Sequence, residues 1–230
     1  MPHRRRKTIE ITCEQEVLDL GLHVCVAHLS KLTIRKNSPK VRQKKKEIVA
    51  FVRDNLPADV VASHEFVTGH RELYERVGAG ATGLVPSYQT LIETVNKKKG
   101  FPTINTLVDL YNCVSASHLI TIGAHDLSRI TGQLRIGITT GKERFVPLFS
   151  TEHQSVRPGE YAYMDDSDII CRLDIRQCHK TRITIDTREA VLFANSNPRV
   201  PKEALIAAVQ EVCDFAGDLL AAEARIVRIF

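Results

Sequence analysis

Three amide- or carboxyl-bearing residues, Asn105, Asp109 and Asn112, recur at i, i+4 and i+7, and Gly123-Ala124-His125-Asp126-Leu127 follows within a few residues. On a helix that spacing lines the three up along one side. Asn and Asp compete with the helix for its own backbone hydrogen bonds, whereas an exposed helical face more usually carries Glu, Lys or Gln. The stripe therefore has two readings, a solvated surface or the wall of a polar cavity. A glycine beside His125 and Asp126 suits a tight backbone approach with polar groups alongside.

Other chemistries lack their signatures. His64 and His70 flank Glu65 without the helical H-E-x-x-H spacing, and there is neither a G-x-S-x-G elbow nor a P-loop. Cys178 and His179 are adjacent in sequence, which says little about a nucleophile and base that must meet in space. The six cysteines contain no C-x-x-C pair, so neither a zinc ribbon nor a disulfide framework is indicated, and reduced thiols are expected. No metal and no cofactor is expected. No apolar run approaches the ~20 residues of a membrane span, and acidic residues interrupt the start of the chain where a secretory signal would need an apolar run. A cytoplasmic protein without membrane contact is expected.

The net charge of +5 is uneven, since residues 1–46 carry 12 Lys or Arg against four Asp or Glu. This basic N-terminal region is densest at Arg4–Lys7 and at Lys44, Lys45 and Lys46. Such clusters suit phosphate backbones, which release counterions on binding, although a solvated face is the plain alternative.

The elements that must position these groups follow from pattern. Thr8–Ile11 and Leu22–Ala27 read as strands. Ser38-Pro39 opens a helix with Val41, Ile48, Val49, Val52 and Leu56 on one face. Pro86-Ser87 opens another, stopped by Lys97–Lys99 and Gly100. Thr103–Ser115 reads as the helix bearing the polar stripe. From Leu134 to Ala194 short β runs dominate: Leu134–Thr139, Arg144–Phe149, Glu160–Met164, Asp168–Leu173, Thr181–Asp186 and Ala190–Ala194, with turns between them. A final helix is expected from about Pro201 to Ala224. At 230 residues one domain is expected, of α+β class, with an antiparallel or mixed barrel-like sheet flanked by helices.

Ile104–Ser115 (I-N-T-L-V-D-L-Y-N-C-V-S) followed by Gly123–Leu127 (G-A-H-D-L) resembles the editing domain of the phenylalanyl-tRNA synthetase beta subunit, which has I-N-x-V-V-D-x-x-N and then H-A-F-D-L at this spacing. The likeness runs through Gly141-Lys142-Glu143, Pro158-Gly159-Glu160, Asp165, Thr181–Arg188 and Ala190–Ala194, and back to Ser87–Val95. It covers about residues 70–195, and implies an editing-domain-like fold and a freestanding relative of that domain. In the synthetase, the domain hydrolyses the ester of phenylalanine tRNA wrongly charged with tyrosine. Two departures stand out. Gly123 replaces the motif's histidine while His125 replaces its phenylalanine, which argues against the same amino-acid cargo. L-D-I-R-Q-C (Leu173–Cys178) replaces a Gly-rich stretch and is similar to freestanding relatives, which have an arginine at Arg176.

The resemblance implies an aminoacylated tRNA 3′ end as partner and deacylation as the activity. Ester hydrolysis requires a held water, a bound terminal adenosine and a stabilised oxyanion. Asn105 and Asn112 would hold substrate or water, and Asp109 or Asp126 would orient the α-ammonium or the water. His125 would polarise the carbonyl or act as a weak general base. Gly123 would admit the substrate closely, and Arg176 would receive the terminal phosphate with its planar fork. Each has a structural alternative: Asp126 as the cap of the next turn, Asp109 and Asn112 as buried hydrogen-bonding groups, His125 as a satisfied core histidine. Two other functions fit the same residues, a non-catalytic tRNA- or RNA-binding module and a binder of an amino-acid-like small molecule. The first would leave the cavity filled or closed, and the second would leave it without a basic approach.

Overall fold

The computed structural model describes residues 10–80, 83–97 and 99–230; Arg4–Lys7 and Thr8 lie outside them. The chain begins with a short strand β1 (Ile11–Cys13), helix α1 (Gln15–Asp19) and strand β2 (Val24–Ser30). Four helices follow: α2 (Pro39–Asn55), α3 (Ala58–Ser63), α4 (Glu65–Arg76) and α5 (Ser87–Asn96). Then come α6 (Thr106–His118), β3 (Thr121–Asp126), a turn of 3₁₀ helix (Leu127–Arg129), β4 (Leu134–Ile138), β5 (Tyr161–Met164), β6 (Ile169–Arg172), β7 (Arg176–Gln177) and β8 (Ala190–Asn195). Helix α7 (Lys202–Leu220) and strand β9 (Glu223–Ile229) complete the described elements.

The strands form two sheets. One is four-stranded and antiparallel in the order β3-β8-β2-β9. The other is five-stranded and mixed in the order β1-β4-β5-β6-β7, with β1 parallel to β4. Each has two edges, so the expected barrel-like closure does not occur; the α+β class and the flanking helices are as expected. The four-stranded sheet is the middle layer. Its Cys25, Ala27, Leu29, Leu192 and Ala194 pack toward α6 and α7, while Val24, Val26, Val191 and Phe193 pack toward the five-stranded sheet. Alternate residues of a strand face opposite ways. A strand buried on both faces must therefore be apolar throughout, which is why Val24–Leu29 and Ala190–Ala194 read as near-continuous hydrophobic runs. A third cluster joins α2 and α5 to the outer side of α6 through Val52, Tyr88, Ile92 and Cys113.

Several expected strands fall differently. Thr181–Asp186 forms none, because the Thr184 backbone N–H donates to Thr187 Oγ1 (3.0 Å) and the Asp186 N–H to Thr184 Oγ1 (3.2 Å). Those local bonds take the place of a ladder. Arg144–Phe149 makes one isolated bridge, Pro147 with Cys178, since proline brings no N–H to a ladder. Gly123–Asp126, to which the sequence assigns no element, belongs to strand β3, paired in full with β8. Helix α7 stops at Leu220, and the residues after it form β9 beside β2. Helices α3 and α4 had no counterpart in the sequence reading. No described helix is long and apolar enough to cross a membrane. All six cysteines carry free thiols.

Candidate active site

A cleft of about 920 Å³ opens beside β3, the edge strand of the four-stranded sheet. One wall is α6, through Asn105, Val108, Tyr111 and Asn112; the strands give Gly123 and His125 from β3, Phe193 and Asn195 from β8, Tyr163 from β5 and Cys171 from β6. The β6–β7 hairpin adds Asp174, Arg176 and Gln177, and the mouth carries Phe149, Arg182 and Ile185. Phe149 is 98% exposed and Ile185 55%, so apolar surface stands beside two arginines at the entrance.

Asn105, Asn112, Gly123 and His125, and Arg176 to which the family resemblance points, line this cleft. Asn112 is half-buried and Arg176 exposed. Gly123 and His125 lie two apart on a strand and so face the same way. A β-carbon at position 123 would come within 2.6 Å of the Gln177 amide nitrogen; glycine there lets β7 lay its side chain against the strand. The exchange of histidine from 123 to 125 thus keeps the imidazole on the cleft face and moves it by ~6.6 Å, two strand steps. The Gln177 amide stands against the vacated position.

His125 is buried, with Nδ1 2.7 Å from Thr181 Oγ1 and its ring edge-on to Phe193. Burial pushes its pKa down to about 4, slightly opposed by Asp165, so the ring is neutral near pH 7. It can polarise a carbonyl or accept a proton weakly, and it brings no charge.

The remaining polar residues have other work. Asn105 is the N-cap of α6: its Oδ1 accepts from the Val108 N–H (3.0 Å) and its Nδ2 donates to the Ile183 carbonyl (3.3 Å). It therefore fixes one wall to the segment opposite. Asp109, one helical turn on, points away from the cleft. Its Oδ2 accepts from Lys45 Nζ (2.8 Å) and its Oδ1 from the Ile104 N–H (2.9 Å). Lys45 also donates to the Pro102 carbonyl (2.8 Å) and Thr103 Oγ1 (2.9 Å). Lys45, expected as a phosphate contact, is instead a buried ion-pair partner that pins the lead-in of α6. Asp126 also lies off the cleft. Its Oδ1 accepts from the Ser128 N–H (2.9 Å) and its Oδ2 from Thr187 Oγ1 (2.7 Å), so it caps the turn after β3. Lys44 lies over the Phe215 ring and Lys46 is exposed; neither lines the cleft.

Several cleft residues were not singled out by sequence: Tyr163, Asp174, Gln177, Arg182 and Asn195. Tyr163 donates to Asn195 Oδ1, joining the two sheets across the cleft floor. Asp174 sits two residues before Arg176, in the same L-D-I-R-Q-C stretch that departs from the Gly-rich pattern. That departure was the available signal.

The sequence pattern of the B3/4 domain, a module of phenylalanyl-tRNA synthetase beta subunits, matches residues 69–212. No curated protein matches the chain. Among solved structures, the chain is similar to an N-terminal fragment of the phenylalanyl-tRNA synthetase beta subunit from Pyrococcus horikoshii, with a TM-score of 0.51 and 10% sequence identity. That likeness covers 98% of this chain and 52% of the fragment, so this chain spans about half the fragment's length and shares its fold. The matched stretch holds α6 and strands β3 to β8, which together build the cleft, and the chain belongs to the B3/4 domain family.

Proposed function

We propose that the cleft binds the aminoacylated 3′ end of a tRNA and hydrolyses its ester. The observation that carries the proposal is the open cleft, apolar over much of its lining but with polar groups converging in it, and with Arg176 and Arg182 at its entrance. A binding module with no catalytic role would not need such a space, and a binder of free amino acids would not need a basic, partly apolar entrance. The terminal phosphate would meet the arginines, which suit phosphate by planar geometry. The terminal base would lie against Phe149 and Ile185, since aromatic faces stack on any base.

In the reaction a water oxygen attacks the ester carbonyl carbon. The carbon–oxygen bond to the ribose breaks, the ribose hydroxyl leaves with a proton, and free amino acid and uncharged tRNA result. Asn112 and the second ring nitrogen of His125 would hold that water or the carbonyl by neutral hydrogen bonds. His125, neutral near pH 7, would polarise or accept, not donate charge. Residues 1–230 would act as one cytoplasmic unit, with 70–195 as the editing-like part and the basic residues 1–46, Lys46 among them, as a further contact to tRNA.

The test is deacylation of a panel of mischarged tRNAs. At least one ester should be cleaved faster than in buffer, and Asn112→Ala should lower that rate by roughly 10²-fold with unchanged thermal stability. No acceleration for any ester in the panel would remove the hydrolase assignment.

A further inference from the structure

One carboxylate oxygen of Asp174 has no hydrogen-bond partner among the described residues. Asp174 lies in the tight turn joining β6 to β7, where the Ile175 N–H donates to the Arg172 carbonyl at 3.0 Å. Both central residues are left-handed, Leu173 at φ 49° and Asp174 at φ 58°. Hairpin turns of this kind normally take Asn-Gly or Asp-Gly, and a leucine there is costly. The turn is held from outside: Leu173 is buried, and the Tyr161 hydroxyl donates to Asp174 Oδ2 at 2.9 Å. The other oxygen, Oδ1, is buried and has no hydrogen-bond partner among the described residues. Tyr163, whose hydroxyl also lies near this carboxylate and favours its ionised form, donates to Asn195. Arg172, the cation next along the chain, is committed to Glu160 at 2.7 Å. A carboxylate with one buried, unbonded oxygen and no ion-pair partner among the described residues is unfavourable in isolation, and the residue is part of the cleft lining.

We propose that Asp174 is the ammonium-recognising residue of the cleft and restricts its ligands to aminoacyl groups with a free α-ammonium, excluding N-acylated ones. The proposal rests on the aminoacyl-ester reading above and deepens it. The charge layout matches such a ligand: arginines at the entrance for the phosphate, one carboxylate in the wall for the ammonium. The ammonium supplies both the missing donor and the missing positive charge.

The ionisation of Asp174 then controls binding. Burial pushes its pKa up to about 7, against the opposing pull of the Tyr161 and Tyr163 hydroxyls. The titratable groups facing it are Tyr161 and Tyr163 on β5, Tyr74 on α4 and Cys171 on β6, and burial raises all four well above their usual values. They remain neutral through the range in which Asp174 titrates. His125, at about 4, also stays neutral there.

The experiment uses amide-linked aminoacyl-adenosine, which cannot be hydrolysed, in free-amine and N-acetylated forms, titrated against the full chain. The wild type should bind the free amine at least roughly tenfold more tightly. Asp174→Asn should lose that preference, its affinity for the free amine falling to that for the acetylated form. Asparagine tolerates left-handed backbone and can still accept from Tyr161, so its fold should be intact by circular dichroism. Free-amine binding should weaken from pH 7.5 to 5.5 as Asp174 takes up a proton, even though the ligand's amine, with an ordinary pKa of ~7.7–8, becomes more fully charged over the same range. Equal binding of the two forms, binding of neither, or a preference that survives in Asp174→Asn would each overturn the proposal. Deacylation of the tRNA panel judges the parent reading separately, since esters cleaved without regard to N-acylation would leave hydrolysis standing and remove only the role of Asp174.

Discussion

The polar stripe on α6 divides into three roles once its side chains are placed. Asn105 caps the helix, Asp109 is turned inward to Lys45, and only Asn112 faces the cleft without a structural bond of its own. Spacing located the wall and could not separate these roles, because the expected helix began two residues before the cap. A helix starting at Thr106 puts Asn105 at the boundary, where its side chain competes for backbone groups to the helix's benefit. The partner of Asp109 lies 64 residues upstream, beyond the reach of any local pattern. Removing one member of a buried ion pair strands the other. Asp109→Ala or Lys45→Met should therefore each cost about 3–5 kcal/mol in denaturant unfolding, and the double variant Lys45→Met/Asp109→Leu should lose markedly less than the two singles combined. Additive losses would mean that the pair is not coupled.

Elements with strong local punctuation were legible. Ser38-Pro39 starts α2 where expected, Ser87 starts α5, and the apolar runs around Val24 and Ala190 are the two central strands of one sheet. Where legibility failed, side-chain competition or a hidden stop decided. The end of α7 is a hidden stop, since no glycine marks it. Ala221 takes the left-handed position at φ 53°, with its N–H on the Gly217 carbonyl and the Ala222 N–H on that of Ala216, both at 3.1 Å. That is a left-handed closure one residue wider than the Schellman motif, and glycine is the preferred residue at such a position. Ala221→Gly should stabilise the protein by about 1 kcal/mol, seen as a higher melting temperature. A lower one would mean that the exposed methyl contributes more than its strain costs. The β6–β7 turn was equally hidden, since a Leu-Asp pair carries no turn signature; packing and Tyr161, not local preference, hold it.

Three buried titratable groups set how the whole molecule responds to acid. His70 and His125 are fully buried, and burial lowers each from 6.5 to about 4. Asp174 is raised from 3.8 to about 7. Between pH 5 and 6 the unfolded chain holds protons on both histidines, whereas the folded chain holds one on Asp174 and none on those rings. Through these three groups the unfolded state binds about one proton more, which makes stability rise with pH by about 1.4 kcal/mol per unit, and the lowered pKa of His23 adds to the same slope. Asp174→Asn removes the opposing contribution and should steepen that slope to about twice the wild-type value. Chemical denaturation at a series of pH values between 5 and 6 measures both slopes, and equal slopes would contradict the assigned ionisation of Asp174.

The placement of β2 between β8 and β9 also bears on how the chain reaches this state. Its pairing partners on either side lie far downstream, from Leu29–Ala190 on one edge to Cys25–Ile229 on the other. During synthesis Val24–Ser30 therefore emerges well before β8 and β9, largely apolar, with both of its pairing edges vacant until those strands follow it. Pairings this distant in sequence are slow to form, and an unpaired hydrophobic strand invites association between nascent chains. The cleft, whose floor includes β8, would be among the last features to appear, so chaperone demand in the cell should concentrate on this one segment.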